Sequence, residues 1–514
     1  MPKIKVHEKA LAHLSRGLYR SPASALRELV SNAWDADATT VTINTNYPNF
    51  YQLSIEDDGT GFSKSDFEQL MQGGIGNSQK RPELKLINDR PVIGRFGIGM
   101  LGIAQICGAF VVTSKPKDGS EGFRARVQLF DRLKEKLDAD DPDVVASRKA
   151  EAPQYPEEIY AGTYDFEEFD GSSARYGTRI LADDLHPTFI KTFQDSLTGS
   201  KPVPMNWSEA IGVISSKRSL QELGDYWRLL WELAAACPLP YLHANVLPEG
   251  LIARDHKRLK KYGFNVVIDG IELAKPVMLR NNPAGYTTHL IGEQRQKIYG
   301  RDLVFHGYIV VQESVQLSPD EFRGIMIRIK DVAVGYYDTS MLDYRINEGP
   351  RSRWLTGEIY VSEGLEDALN IDRDSFNKFH PQYKALQRYT HNILQTSIFP
   401  KVYKQIEVRS EKRADEKQEA HQQHLKEVLK AHAGATVNLK RTLPADDEPS
   451  VQVTETAGGY TLNLPPQEAL KTRKNQRQLA SAILAIFEMA LREPGKEKQR
   501  NKFRELLLDL LDKW

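Results

Sequence analysis

The first 190 residues alternate helical patterns with short runs of β-branched residues, and few folds accommodate such a pattern. The runs are TTVTINT at 39–45, YQLSIED at 51–57 and GAFVVTS at 108–114. β-Branched residues are favoured in strands, whereas the intervening segments repeat their apolar residues with a helical period. We therefore expect an N-terminal α+β or α/β domain in which helices pack on a sheet.

Composition restricts the class of protein further. The chain contains 69 Lys and Arg residues and 69 Asp and Glu residues, so its net charge gives no electrostatic reason to expect a dedicated nucleic-acid binder. Its two cysteines, Cys107 and Cys237, exclude a disulfide scaffold and a structural four-ligand zinc site, and they favour the reducing cytoplasm. The most apolar stretch, at 98–112, is too short to span a bilayer, so we expect neither export nor membrane association.

Four segments with different patterns follow one another along the 514 residues. Strand patterns return at 264–273 and continue to 365, which predicts a second α+β domain. After 403 the chain becomes rich in charged, helix-forming residues, with a hairpin predicted at AGGY (457–460) and a final helix too apolar to be stable alone. The predicted organisation is an N-terminal domain at 1–195, a helical connector at 196–262, a middle domain at 263–403 and a C-terminal, mainly helical dimerisation or interaction region at 404–514.

Three polar residues share one face of a predicted helix near the N-terminus. Ser21 can cap this helix, and Pro22 suits its first position, where a backbone N–H would have no helical partner. Glu28, Asn32 and Asp35 follow at i, i+4 and i+7, which places them on one face. A carboxylate can deprotonate water and a carboxamide oxygen can hold Mg²⁺, so this face suits hydrolysis as well as an ordinary surface role.

A carboxylate also stands at the end of the predicted strand in LSIEDDGTGF. Asp57 precedes two glycines, Gly59 and Gly61, which would let a flat ligand approach the backbone. An ionised Asp57 can accept a hydrogen bond from an exocyclic amine such as that of adenine, although a plain Asp-Gly turn has the same sequence. Farther along, YGTRILADDL places Thr178 at the start of a strand, where its hydroxyl could hold the Asp57 carboxylate or a water beside it.

Two glycine-rich loops, QGGIGNSQK at 72–80 and IGRFGIGMLG at 93–102, lie between these two strands. The second loop precedes an apolar helical pattern, so the backbone amides of residues 97–100 would form an anion nest suited to phosphates. The sequence contains no GxxxxGK[ST] motif, and the order of its motifs does not fit a Rossmann fingerprint. The chain is therefore not predicted to be a P-loop protein or a dinucleotide-binding protein.

The order of these motifs resembles that of the Bergerat-type (GHKL) ATP-binding domain, which DNA gyrase, heat-shock chaperones, sensor histidine kinases and MutL mismatch-repair proteins share. The motifs ELVSNAWDADAT, DDGTGF, a glycine lid, GRFGIGMLG and GT stand in the family's order over residues 16–185. The resemblance implies an α+β chain with an N-terminal Bergerat-type sandwich, a middle transducer domain and a mainly helical C-terminal region. Within the superfamily, the opening helix pair most resembles the heat-shock chaperone branch, with the MutL and MORC ATPases as relatives.

The resemblance also implies roles for individual residues, with ATP and Mg²⁺ as cofactors. Glu28 would be the general base, Asn32 the Mg²⁺ ligand and Asp57 the carboxylate that reads adenine, with Thr178 supporting the adenine end. Asp58 stands at a position that varies in the family and receives no role. The remaining residues expected to contact the nucleotide are Asp35, Gly59, Gly61, the lid residues Gly76, Ser78 and Lys80, and the phosphate-loop residues Gly94, Phe96, Gly97, Ile98, Gly99 and Met100.

A second resemblance lies at 356–376, where TGEIYVSEGLEDALNIDRDSF is similar to the middle domain of the heat-shock chaperone. It implies that Arg373 reaches across to the γ-phosphate. A cation from another domain is suited to this task, because it can stabilise charge on a transferring phosphoryl group. Arg328, Lys330 and Arg345 are rival candidates for the same role.

Three functional hypotheses follow. The first is an ATP-driven clamp, a homodimer joined through its C-terminal helices that closes on ATP and acts on a protein client or partner. The alternative is a MutL- or MORC-like switch that acts on DNA or recruits a nuclease, as in phage defence; the third is a non-hydrolysing ATP-binding scaffold. A histidine kinase is disfavoured by Glu28 and by the lack of a His acceptor motif, and a nuclease activity would need another subunit, because no nuclease motif is visible.

Overall fold

The chain forms two compact units, Met1–Val402 and Tyr403–Trp514. In the first unit, the computed structural model describes residues 21–72, 89–93, 102–103, 105–119, 121–129, 162–169, 175–197, 206–242, 251–277, 279, 285–312, 316–345, 352–370 and 374–402. In the second unit it describes residues 403–404, 407–408, 416, 423, 427, 437–441, 451–456, 459–464, 473–490, 495–498, 501 and 504–505.

An eight-stranded sheet forms the centre of the first unit. Its strands are β1 Thr40–Asn44, β2 Leu53–Asp57, β3 Cys107–Lys115, β4 Phe123–Leu129, β5 Gly162–Glu167, β6 Gly177–Leu185, β7 Asn265–Ile268 and β8 Ile271–Glu272. They lie in the order β5–β4–β3–β6–β2–β1–β7–β8. Each neighbouring pair is antiparallel except β1 with β7, which is parallel. The predicted α+β class is confirmed.

The helices of the first unit that accompany this sheet are α1 Pro22–Asp35, α2 Lys64–Gln72, α3 Pro187–Leu197, α4 Trp207–Ser215, α5 Asp225–Ala236 and α6 Leu251–Lys261. Helix α1 begins as predicted, because the Ser21 side chain accepts a hydrogen bond from the Ser24 backbone N–H at 3.2 Å and Pro22 occupies the first turn. Most of α1 is buried, including the charged residues Arg27 and Glu28. A helix buried on several faces can hold its side chains in fixed positions.

A five-stranded sheet follows in the same unit. Its strands are β9 Tyr286–Ile298, β10 Arg301–Gln312, β11 Gly324–Ile329, β12 Val332–Asp338 and β13 Leu355–Glu363, in the order β12–β11–β13–β10–β9. Both faces are covered, because Tyr308 and Val310 pack in one core whereas Ile309 and Val311 pack in another. The second core includes residues of helix α7, Pro381–Ile393, which continues as a π-helical stretch over Leu394–Ile398.

The boundary predicted at 263 is wrong for the sheet. That boundary places strands β7 and β8 in the middle domain, but β7 pairs with β1 and extends the first sheet. The reason is apolar complementarity, since Val266 and Ile268 of β7 are buried in the same core as Val41 and Ile43 of β1. The strand pattern at 264–273 is confirmed, but the partner of β7 lies more than 200 residues earlier in the chain.

The second unit contains a small sheet and a long helix. The hairpin predicted at 457–460 is confirmed, because β15 Gln452–Thr456 pairs antiparallel with β16 Gly459–Leu464. A third strand, β14 Val437–Arg441, pairs parallel with β16 and was not predicted. Helix α8 spans Arg473–Ala490, and most of the final predicted helix lies outside the described residues. None of the helices in the described parts of the chain is long and apolar enough to cross a membrane.

Candidate functional site

The predicted general base, Glu28, lies in the buried part of helix α1. It is 6% exposed and lines a small cavity together with Arg27, Ile93 and Lys330. The cavity volume is about 30 Å³, which is enough for a water molecule. A buried carboxylate beside a cavity of this size can in chemical terms orient a water and accept its proton.

The Asp57 carboxylate lies at the end of β2, as predicted. Its Oδ1 accepts a hydrogen bond from the Gly59 backbone N–H at 2.9 Å, and the strand register places Asp57 opposite Thr178 of β6. Burial raises the pKa of the Asp57 carboxyl to about 6, although the backbone amides of Gly59 and Thr178 act to lower it. Because water solvates this carboxylate poorly, a hydrogen bond from a ligand would stabilise its charged form more than it would stabilise a surface carboxylate.

Glycines allow the backbone to pack closely around Asp57. A Cβ on Gly61, whose φ is +62°, would lie 2.2 Å from the Lys115 carbonyl oxygen. A Cβ on Gly59 would lie 2.7 Å from the carbonyl oxygen of Ala36, which follows the last turn of α1. The same Ala36 oxygen accepts a hydrogen bond from the Thr60 backbone N–H at 2.7 Å. The loop after Asp57 is therefore held against the end of the helix that carries Glu28 and Asn32.

Ser114 belongs to this region and was missed by the sequence analysis. Its Oγ lies 3.2 Å from Thr178 Oγ1 and accepts a hydrogen bond from the Phe62 backbone N–H at 3.0 Å. The Thr178 hydroxyl thus contacts Ser114, whereas the Thr178 backbone amide is the group that acts on Asp57. A serine within an apolar strand carries no distinctive motif, and only the pairing of β3 with β6 reveals its position.

This arrangement of an acidic helix, a strand-end carboxylate and close-packed glycines agrees with the family comparison. Residues 19–140 match the family model for "Histidine kinase-, DNA gyrase B-, and HSP90-like ATPase" proteins. Residues 19–140 therefore belong to the GHKL superfamily of ATPase-like domains.

Two curated proteins are similar to parts of the chain. A segment of 179 residues is 34% identical to "Putative type II restriction enzyme HgiDII" of Herpetosiphon aurantiacus and covers 35% of this chain and 28% of that protein. A segment of 106 residues is 27% identical to "DNA mismatch repair protein MutL" of Colwellia psychrerythraea and covers 20% of this chain and 16% of that protein. The chain therefore matches less than a third of the length of either relative. MutL-like relatives are confirmed, whereas the heat-shock chaperone branch receives no specific support.

Two further acidic residues of the GHKL domain bind backbone. Asp35 Oδ1 accepts a hydrogen bond at 2.7 Å from the backbone N–H of Ile93, the first residue of the second glycine loop. Asp58, which received no role, accepts hydrogen bonds from the backbone N–H groups of Thr39 and Thr40 at 2.7 and 2.8 Å. In the structure, Asp35 thus fixes the chain that enters the predicted phosphate loop, and Asp58 fixes the start of β1.

Several predicted site residues lie outside the described part of the chain: Gly76, Ser78, Lys80, Gly94, Phe96, Gly97, Ile98, Gly99, Met100 and Arg373. Asn32 is described and half-buried, one turn beyond Glu28. Within the described residues, no group of three or more His, Cys, Asp or Glu side chains is close enough to share a metal ion. The assignment of Mg²⁺ to Asn32 stays a prediction.

The rivals of Arg373 occupy very different surroundings. Arg328 is fully buried and donates hydrogen bonds to the Glu358 carboxylate at 2.5 Å and the Ala235 carbonyl oxygen at 2.7 Å. Arg345 is exposed. Lys330 alone of the three lines the cavity beside Glu28.

The close approach at Gly61 generates a stability prediction. We expect Gly61→Ala to lower the free energy of unfolding by about 1–3 kcal/mol more than Gly263→Ala, because a Cβ at Gly61 collides with backbone. Gly263 is a matched control, since its φ is +61° and nothing lies within 4 Å of its Cβ position. Thermal and urea unfolding of both variants measures the difference, and equal losses would show that the left-handed φ, not the contact, requires glycine.

Proposed function

We propose that this chain is an ATP-driven switch of the GHKL class that acts on DNA or recruits a nuclease. The observation that carries the proposal is the shared cavity of Glu28 and Lys330. Glu28 belongs to the helix of the ATPase domain and Lys330 to the second sheet, so the charge of a terminal phosphate would influence how these two parts meet. ATP binding and hydrolysis would then be read out as a conformational change.

Asp57 and its glycines would hold the adenine end of the nucleotide. The carboxylate would accept a hydrogen bond from the exocyclic amine. Gly59 and Gly61 would support it indirectly, because their missing Cβ atoms let the loop after Asp57 pack against the carbonyl oxygens of Ala36 and Lys115. Asn32 would hold Mg²⁺ through its carboxamide oxygen, and the bound ion would offset charge on the phosphate oxygens. Glu28 would accept the proton of a water in its cavity.

Lys330 is the cation that we assign to the terminal phosphate, in place of Arg373. Its Nζ donates a hydrogen bond to the Val92 carbonyl oxygen at 3.2 Å and lies 3.7 Å from Glu366 Oε1. Val92 directly precedes Ile93, which the Asp35 carboxylate holds at the entrance of the second glycine loop. The Lys330 ammonium therefore already contacts the segment that leads into the predicted phosphate loop.

The names of the two relatives favour the DNA-acting interpretation over a chaperone clamp. One is named as a restriction enzyme and the other as a DNA mismatch repair protein. Because the sequence contains no nuclease motif, we propose that cleavage belongs to an effector subunit. A homodimer joined through residues 404–514 and a cytoplasmic location are further parts of the proposal.

Helix α6 supplies the surface that we assign to DNA. Arg254, Lys257, Lys260 and Lys261 are exposed, and the first, second and fourth of them lie at i, i+3 and i+7 on one face. Asp255 and Leu259 on the opposite side are buried. Two of the cations have acidic neighbours, at 3.9 Å for Arg254 and 3.5 Å for Lys261, and such exposed pairs contribute little energy. A row of cations at helical spacing fits a phosphodiester backbone.

The first test concerns hydrolysis. We expect Glu28→Gln to lower the rate of ATP turnover by about 10²- to 10⁴-fold while ATP binding persists, because the amide cannot accept a proton from water. Glu56→Gln is the matched control, since Glu56 is an exposed carboxyl of β2. Steady-state phosphate release and nucleotide binding are measured in parallel. Wild-type protein that binds ATP but never hydrolyses it, with or without DNA, would instead support the non-hydrolysing scaffold.

The raised pKa of Asp57 predicts a pH-dependent affinity for the adenine ring. A protonated Asp57 offers a donor where the exocyclic amine needs an acceptor, so adenosine should bind roughly tenfold more weakly at pH 5 than at pH 7 if the free carboxyl titrates near pH 6. Adenosine is preferred to ATP because phosphate groups titrate in the same range. Calorimetry or NMR titration measures the affinity. Asp57→Asn should bind weakly with no such pH dependence, and an unchanged wild-type affinity would remove Asp57 from ring recognition.

The basic face of α6 predicts the salt dependence of DNA binding. For Lys257→Ala combined with Lys261→Ala, the slope of log affinity against log salt should become shallower by about two, because each lost phosphate contact contributes roughly 0.9. Lys191→Ala combined with Lys401→Ala is the control for the removal of two exposed charges elsewhere. Fluorescence anisotropy with duplex DNA at several salt concentrations measures the slopes. Equal slopes for the two double variants would exclude this face.

A further inference from the structure

The turn that carries Lys330 has an unusual composition. Strands β11 and β12 are joined by two residues, Lys330 and Asp331, between the paired residues Ile329 and Val332. Both turn residues have left-handed backbones, with φ of +49° and +73°. Two-residue turns of this kind favour Asn and Gly, because other side chains crowd the backbone there. A lysine followed by an aspartate therefore occupies a position where the backbone alone would prefer other residues.

The two side chains of this turn have different surroundings. Lys330 lines the Glu28 cavity, as described above. Asp331 is 6% exposed, and its carboxylate accepts hydrogen bonds from Arg258 Nη2 at 2.5 Å and from the Tyr262 hydroxyl at 3.1 Å. Arg258 lies in helix α6 and Tyr262 directly follows it. The turn is thus held by one residue while the other contacts the site.

The anchor on the α6 side is itself braced. Arg258 Nη1 lies 2.6 Å from Asp255 Oδ1, and the same carboxylate lies 2.9 Å from His306 Nε2 of β10. Burial acts to lower the pKa of Arg258, but Asp331 and Asp255 outweigh it and hold the pKa above its ordinary value. Arg258 therefore stays a cation between two carboxylates. A hydrogen bond between charged groups at such a distance constrains direction as well as distance.

We propose that Asp331 is a positioning residue: with Arg258 and Tyr262, it holds the left-handed turn that presents Lys330 to the Glu28 cavity. This inference rests on the proposed function, in which Lys330 acts on the terminal phosphate of ATP. Asp331 does not touch the reacting atoms, and all of its effect on turnover passes through Lys330. An anchor that only stabilised the hairpin would not show that dependence.

The test is a double-mutant cycle on ATP turnover in the full-length chain. We expect Asp331→Asn to lower kcat at least tenfold with little change in the KM for ATP, and Lys330→Ala to lower kcat at least as much. In the double variant, kcat should equal that of Lys330→Ala alone, because the positioned group is already absent. Asp302→Asn is the matched control: Asp302 pairs with Arg295 at 2.7 Å beside the two-residue β9–β10 turn of the same sheet, and its kcat should equal that of the wild type.

Different failures have different signatures. A wild-type kcat in Lys330→Ala would overturn the role of Lys330 within the proposed function. A reduced kcat in Lys330→Ala with a normal kcat in Asp331→Asn, or losses that multiply in the double variant, would overturn the positioning role alone. If Asp331→Asn does not fold, Tyr262→Phe is used in the same cycle, because it removes one hydrogen bond to Asp331 and leaves the Arg258 pair in place. A lower kcat for Tyr262→Phe only when Lys330 is present supports the inference, and an unchanged kcat contradicts it.

Discussion

The buried ion pair of Arg27 and Asp374 connects the helix of the predicted general base to the chain beyond the second sheet. Arg27 Nη2 lies 2.6 Å from Asp374 Oδ1, and the Ser24 hydroxyl donates a hydrogen bond to Asp374 Oδ2 at 2.8 Å. Burial acts to lower the pKa of Arg27, but Asp374 and Glu28 raise it above its ordinary value. A buried charge without its partner costs about 3–5 kcal/mol. A movement of helix α1 out of this position would therefore cost free energy, and Glu28 is held facing the β11–β12 turn.

A second set of buried polar contacts fixes the position of the five-stranded sheet relative to the helices beside the eight-stranded sheet. Burial acts to raise the pKa of Glu358, yet Arg328 and Lys275 hold it at about 2, and the Tyr337 hydroxyl donates a further hydrogen bond to it at 2.9 Å. Arg328 also donates to the Ala235 carbonyl oxygen at the end of α5, so the charged layer joins β11 and β13 to the helices beside the first sheet. An apolar contact would tolerate sliding, whereas these groups lose their partners if either sheet shifts.

Local signals predicted the parts of the site that depend on one element. The capped helix with Glu28 and Asn32, the strand ending at Asp57 and the α+β class followed from spacing and composition. The pairing of β7 with β1 could not be predicted, because its apolar pattern fits any sheet. Lys330 was only one of several rival cations, since RGIMIRIKDVAVGYY reads as a continuous strand and its turn contains no glycine. Contacts between residues distant in the chain therefore account for what the sequence analysis missed.

Helix α6 has two faces with different consequences for the proposed switch. Its exposed cations face solvent, while Arg258 on the inner side binds the turn that carries Lys330. DNA bound to the outer face can change ATP turnover only if it binds one arrangement of α6 and this turn more tightly than another. A ligand with equal affinity for both arrangements does not shift the equilibrium between them. Binding free energies are coupled reciprocally. If ATP favours the same arrangement as DNA, ATP must therefore raise the affinity for DNA by the same factor by which DNA raises the affinity for ATP. A switch built on α6 thus needs no direct contact between nucleotide and DNA.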